Sequence, residues 1–273
     1  MRHDFDLAPT AGLRGSHLRG VVRRRVLVNY PVPPERLGPW LPPQAEPALH
    51  AGRAWVSACA VRLERMAPTA WPAPLGLRMH YLVHRTIAWL PFPDGTRRCA
   101  VLILEANLDH PATFLARGST RVPFRRRCIR VDEGEGHWAA SMRSSLRIQD
   151  MHRDGGGAGE DGLLYEACVE APGGPATPAG SLFPDAASAD RFLLGVAYGC
   201  AWDPRRRRMR YLAETHDPWT IEAAPARTAR NRFLEDLCGG PVEADHALLM
   251  RDVPHAFAMR PATMRFDPGA GQP

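Results

Sequence analysis

Several stretches of the chain set ionisable side chains where their types and spacing suit chemistry. His80 and His84 share an H-x-x-x-H spacing, and His84 is followed directly by Arg85. On a helix that spacing would bring two imidazoles together over a metal, but the surrounding residues read as extended. On a strand rising about 3.3 Å per residue the two side chains stand roughly 13 Å apart, too far to share an ion. No metal site is predicted. Glu105 interrupts the apolar run Leu102 to Ala106, and a carboxylate there is costly unless it is paired or faces a wet cavity. His216 and Asp217 place an imidazole beside a carboxylate ahead of Trp219, and Asp252 and His255 flank Val253 and Pro254. Histidine and glutamate in a cavity suit general acid–base work, with arginine as an electrophilic clamp.

The opposite conclusion holds for lysine. All 35 basic residues in the Lys+Arg count are arginine. A chain without lysine cannot form a lysine Schiff base, build a P-loop or carry the kinase lysine. Arginine stays protonated and cannot replace lysine as nucleophile or base, although it binds anions well. Gly157, Gly159 and Gly162 match G-x-G-x-x-G, yet Glu160 and Asp161 would repel a pyrophosphate and a strand follows where a helix is needed. No nucleotide or other cofactor is expected. No G-x-S-x-G elbow supports an α/β-hydrolase.

The net charge of +6 and the runs Arg23 to Arg25, Arg125 to Arg127 and Arg205 to Arg208 raise a nucleic-acid or anionic-partner reading. No recognition helix, zinc finger or RNA-binding aromatic motif accompanies them. The six cysteines lie far apart, with no C-x-x-C pair, and read as reduced thiols. The longest apolar stretch, Ala100 to Leu104, is a quarter of the roughly 20 residues a membrane span requires. No signal peptide is read near Met1 to Leu18. These features predict a cytoplasmic protein with no membrane partner. A homo-oligomer is compatible with them.

The elements that must position these residues are mostly short strands punctuated by Pro and Gly. Strands are predicted at Val21 to Tyr30, Ala54 to Glu64, Met79 to Leu90, Cys99 to Ala106, Arg125 to Val131, His137 to Leu146, Leu163 to Glu170, Met209 to Glu214, Trp219 to Ala223 and Ala247 to Arg251. Helices are few: one capped by Asp185 and stopping at Gly199, one from Asp109 to Gly118, and shorter ones at Pro34 to Leu41 and Arg230 to Leu237. Asp154 to Gly162 reads as a loop, and the stretch from Phe266 as a tail. The fold class is mainly β, an antiparallel barrel or cone with a few short peripheral helices, in one domain over 16–264 with tails at 1–15 and 265–273.

Val26 to Pro33, Leu37 to Pro43 and Gly52 to Ser57 resemble the uncharacterised YqjF-like family of the acetoacetate-decarboxylase-like superfamily. Val83 to Trp89, Gly180 to Pro184, Thr215-His216 with Trp219, and Ala247 to His255 agree with it. The resemblance implies an antiparallel barrel or cone around a ligand cavity. In true acetoacetate decarboxylases that cavity holds a Schiff-base lysine, a second lysine, two glutamates and an arginine. The arginine falls on Arg23. The glutamates fall near Ser57 and Tyr81, and the lysine pair falls at Arg121 to Arg125, so the superfamily's mechanism is not carried over. The resemblance and strand register together suggest a cavity lined by Arg23, Asn29, Tyr30, His84, Arg85 and Glu105, with His216 and Trp219 near its rim. The ligand implied is a small organic anion, a carboxylate, with or without catalysis. A lyase or isomerase using His84 or Glu105 and an arginine clamp is the alternative.

Overall fold

The computed structural model describes residues 17–68, 76–92, 94–110, 124–134, 137–144, 162–170, 176–195, 198–216, 219–258 and 262–265. Strands β1 (His17–Val32), β3 (Ala54–Pro68), β4 (Leu77–Pro91) and β5 (Arg97–Leu108) are long and pair antiparallel with one another in that order. β2 (Glu46–Pro47) and β6 (Arg125–Arg126) add short edges to β4 and β5. β7 (Cys128–Gly134), β8 (His137–Arg143), β9 (Leu163–Glu170) and β13 (Ala226–Asn231) make a separate four-stranded sheet in the order β13-β9-β8-β7. The large sheet continues through β10 (Tyr198–Asp203), β11 (Arg208–His216), β12 (Glu222–Ala224), β14 (His246–Ala258) and β15 (Ala262–Arg265).

In the large sheet β14 pairs with β1 and β11 with β10. β11 also pairs with β14 over Glu214 to His216, so the hydrogen-bonded path from β14 through β1, β3, β4, β5, β10 and β11 returns to β14. Two pairings, β5 with β10 and β5 with β6, are parallel and depart from the all-antiparallel sheet that the sequence predicts. The parallel partner follows from β10 itself. Gly199, predicted to stop a helix, lies inside this strand.

The middle stretches of the long strands are buried on both faces, where their sequence is mostly apolar. Val26, Val28, Tyr30 and Val32 of β1 face the four-stranded sheet, together with Trp138, Met142 and Tyr165. Leu27 faces the other way, toward Trp55, Cys59, Val61 and Phe183 and the helix α2 (Ala186–Leu193). Alternation along a strand sends neighbouring residues to opposite layers. The molecule is thus layered as helix, large sheet and small sheet.

The helices are set by their caps. Asp185 accepts from the backbone N–H of Ser188 at 2.7 Å, as its position predicts, and Ala186, Ala189 and Leu193 pack inward at helical spacing. α1 (Pro34–Leu37) is a single turn. α3 (Arg232–Cys238) begins where Asn231 Oδ1 accepts from the Leu234 N–H at 3.2 Å, and it ends at Gly239, whose φ of 81° is the left-handed conformation that favours glycine. Among the described residues no helix is long and apolar enough to cross a membrane.

Asp109, predicted to cap a helix, ties β5 to β4. Its carboxylate accepts from the His80 backbone N–H at 2.7 Å and bonds the His80 ring Nδ1 at 2.6 Å. The rest of that predicted helix, the loop up to residue 161 and the tail beyond 265 lie outside the described residues.

Candidate functional site

The register of the large sheet carries His84 into the space between the two sheets. Val28 pairs with Ala58, Ala58 with His84, and His84 with Glu105, so these four form one row across β1, β3, β4 and β5. Ala58, beside His84 in this row, is small and fully buried. From the other side Phe233 of α3 stacks on His84 with ring centroids 4.5 Å apart, and Tyr165 of β9 meets it edge-on at 6.1 Å. His84 is completely buried.

Its two ring nitrogens have different surroundings. Nδ1 lies 3.3 Å from Oε2 of Glu105. An ionised carboxylate only accepts hydrogen bonds, so Nδ1 carries a proton, and in the neutral tautomer this makes Nε2 an acceptor. Nε2 is buried with no hydrogen-bond partner. Burial acts to raise the Glu105 pKa, but the bond from His84, helped by the nearby Asn107 amide and the charge of Arg125, outweighs it and holds the group below the usual glutamate range. Arg125 donates to Glu105 Oε1 at 3.1 Å from a mostly exposed position. A histidine and an arginine therefore converge on one carboxylate, and it is the protein's own.

Further polar groups continue from His84 into the core. Tyr165 and Asn231 are directly opposed on β9 and β13, which places their side chains side by side on the same face. Tyr165 Oη and Asn231 Nδ2 are both buried without a hydrogen-bond partner. The Asn231 amide is oriented by its capping bond to Leu234, which occupies Oδ1 and leaves the N–H₂ group as the free end. Tyr30 lies alongside, its hydroxyl 2.6 Å from Thr228 Oγ1. Tyr165 and Asn231 approach that hydroxyl closely enough to influence its ionisation, but neither meets hydrogen-bond geometry with it. Burial raises the pKa of Tyr30 and raises that of Tyr165 well above the ordinary phenol value. Both phenols stay protonated and able to donate. Asn107, facing the same side as Glu105, is a further fully buried amide whose nitrogen and oxygen lack partners in hydrogen-bond geometry. Buried polar groups are normally paired, and His84 Nε2, Tyr165 Oη, Asn231 Nδ2 and the Asn107 amide depart from that pattern.

The remaining predicted pocket residues lie elsewhere. The sequence reading puts Arg23 in the cavity, but β1 carries an extra residue relative to β3 between Val22 and Arg24, and Arg23 is that residue. Its side chain is 36% exposed and bonds Glu64 and Asp252, each at 2.9 Å. Arg25 is the buried arginine of that strand. It faces the helix layer, where Nε lies 3.3 Å from Cys59 Sγ and the guanidinium stands 5.6 Å from the Trp219 ring. Trp219 belongs to that same layer. Arg85 also faces it and donates to the Leu193 carbonyl at 2.9 Å, closing the C-terminus of α2. His216 ends β11 opposite His255, and its side chain lies outside the described residues.

Asn29 takes part in a separate buried network on the helix side. Asp245 accepts from His246 Nδ1 at 2.6 Å, His246 Nε2 accepts from Asn29 Nδ2 at 3.1 Å, and Asn29 Oδ1 accepts from Ser57 Oγ at 2.7 Å. Asp245 also accepts from Ser181 Oγ and from the Leu182 N–H at 2.9 Å. The order of residues resembles a catalytic triad, but the serine proton is committed to the amide and not to the imidazole. The network instead fastens the segment before α2 to the sheet. Members of the arginine runs are likewise engaged with acids: Arg23 and Arg24 with Asp252, Arg125 with Glu105, and Arg206 with Asp203. Among the described residues no cluster of three or more His, Cys, Asp or Glu side chains could hold a metal ion.

The architecture is that of acetoacetate-decarboxylase-like proteins. An acetoacetate decarboxylase from Legionella pneumophila superposes with a TM-score of 0.61 at 11% identity, covering 92% of this chain and 87% of that one. The enduracididine biosynthesis enzyme MppR, in a structure complexed with pyruvate, gives 0.57 at 14% identity over 91% of this chain and 89% of that one. An acetoacetate decarboxylase-like enzyme from Sphingomonas wittichii gives 0.55 at 13% over 92% and 93%. Residues 21–254 match the DUF2071 family, described as "Uncharacterized conserved protein (COG2071)", and the chain belongs to that family. No curated protein matches the sequence.

Proposed function

We propose that this protein binds a small organic molecule bearing a carboxyl or carbonyl group, in the space between the two sheets beside His84. The observation that carries this reading is the His84 ring itself, fully buried, held through Nδ1 by Glu105 and left without a partner at Nε2. Tyr165 and Asn231 supply neutral donors for the ligand's oxygen. The pyruvate complex of the structurally similar MppR supports an organic acid of this size. We read the returning strand path as the barrel or cone that the sequence suggests, with the ligand on the face that the four-stranded sheet covers.

Catalysis is a second reading, favoured by the pairing of Glu105 with His84. A carboxylate that fixes the protonated nitrogen leaves the other nitrogen ready as a base. A lyase or isomerase step would use Nε2 in that role. The chain has no lysine, so an acetoacetate-decarboxylase mechanism through a lysine Schiff base is not open to it.

The test is calorimetric titration and thermal shift of the whole protein against a panel of two- to five-carbon organic acids and their neutral carbonyl analogues. Binding by any of them that is lost in Tyr165→Phe supports the site. Binding that is unchanged in both Tyr165→Phe and His84→Phe would place the ligand elsewhere.

A further inference from the structure

Given a ligand site beside His84, on which this inference rests, the polarity of the unpaired atoms narrows the class of ligand. Each of three buried groups has its hydrogen-bonding sense fixed by a contact away from the site. Glu105 holds a proton of His84 on Nδ1, and in the neutral tautomer Nε2 is then an acceptor. The Leu234 N–H holds Asn231 Oδ1, which turns the amide N–H₂ away from the helix as a donor. Burial keeps Tyr165 protonated, so its hydroxyl can donate. The site thus offers one acceptor and two donors.

We infer that the ligand belongs to the hydroxy-carbonyl class: a hydroxyl that donates to His84 Nε2, next to a carbonyl or carboxyl oxygen that accepts from Tyr165 and Asn231. A hydroxy acid satisfies all three groups. The corresponding oxo acid sets a carbonyl oxygen against the Nε2 lone pair and leaves that nitrogen unsatisfied. The deoxy acid offers nothing to Nε2. Sites built to bond a hydroxyl reject analogues that lack it strongly, because a buried polar group is stranded.

The discriminating measurement compares lactate, pyruvate and propionate with the full chain by titration calorimetry. Lactate is expected to bind at least about tenfold more tightly than either analogue. In His84→Phe, which retains an aromatic ring against Phe233, the three should converge. In Tyr165→Phe all three should weaken together while the preference for lactate persists. Equal binding of lactate and propionate to the unaltered protein would overturn the hydroxyl requirement and leave the binding site standing. No binding of any of the three, nor of the neutral pair hydroxyacetone and acetone, would overturn both. The comparison in the unaltered protein stands on its own if a variant does not fold.

Discussion

Glu105 Oε2 lies 3.3 Å from His84 Nδ1, while Nε2 of the same fully buried ring has no hydrogen-bond partner. One nitrogen is held by the protein, and in the proposed site the other meets the ligand. Replacing the carboxylate by an amide removes this control. In Glu105→Gln the side chain can donate as well as accept, so the ring is free to place its proton on either nitrogen. The His84 tautomer, read from ring nitrogen NMR shifts, should change from a single Nδ1–H form to a mixture. A ring that stays wholly Nδ1-protonated would mean that Glu105 does not set it.

Glu64 gives the acid limb of stability. Its carboxyl is held at about 2, against an ordinary value of 4.5, by hydrogen bonds from Arg23 and Arg62. A folded-state pKa below the unfolded one contributes stability that is fully present above pH 4.5 and is lost as pH falls toward about 2. Both arginines are partly exposed, so solvent screening reduces the effect to about 1 kcal/mol. Glu64→Gln should lower stability at pH 7 by that order and make little difference at pH 2. Chemical denaturation at the two pH values checks it, and an equal loss at both would contradict the assignment.

The network of Asp245, His246, Asn29 and Ser57 is predicted to be structural. Asn29→Leu would strand the Ser57 hydroxyl and His246 Nε2 in a fully buried setting, at a cost of about 1–3 kcal/mol for each unsatisfied group. Ser57→Ala removes only one bond and should cost about 1 kcal/mol. Urea denaturation gives both values. Ligand affinity at the His84 site should be unchanged in Ser57→Ala, and a large change in affinity there would tie the network to function.

Trp55 is almost fully buried on the helix side, against Phe183 with ring centroids 4.7 Å apart. Trp55→Ala is expected to cost about 3–5 kcal/mol. A loss below about 1 kcal/mol in thermal or chemical denaturation would show that this layer is loosely packed.

Glu105 stands out in the sequence as a carboxylate in an apolar run, His84 by its place beside Arg85, and Tyr30 only through strand register and the family resemblance; the structure sets all three on one face of the large sheet. Arg23 is displaced by the one-residue bulge beside it, which strict alternation cannot reveal; the buried arginine of that strand is Arg25. Asn29 and Arg85 are buried, but a strand with two buried faces has two insides, and both point to the helix layer. Tyr165 escapes notice because a tyrosine among Leu163, Leu164 and Cys168 reads as ordinary core. Asn231 lies within a stretch whose pattern suggests a helix starting at Arg230, which hides both its capping position and the strand before it. The signal for β13 is weak, since Ala226 to Asn231 contains no large apolar residue and no regular alternation.

The central claim, that a ligand is received at His84 between the sheets, is tested most directly by the ring nitrogen signals of His84 during addition of lactate. A saturable shift of Nε2, with Nδ1 remaining protonated, is the predicted result. An Nε2 signal that does not move while lactate binds would contradict the account.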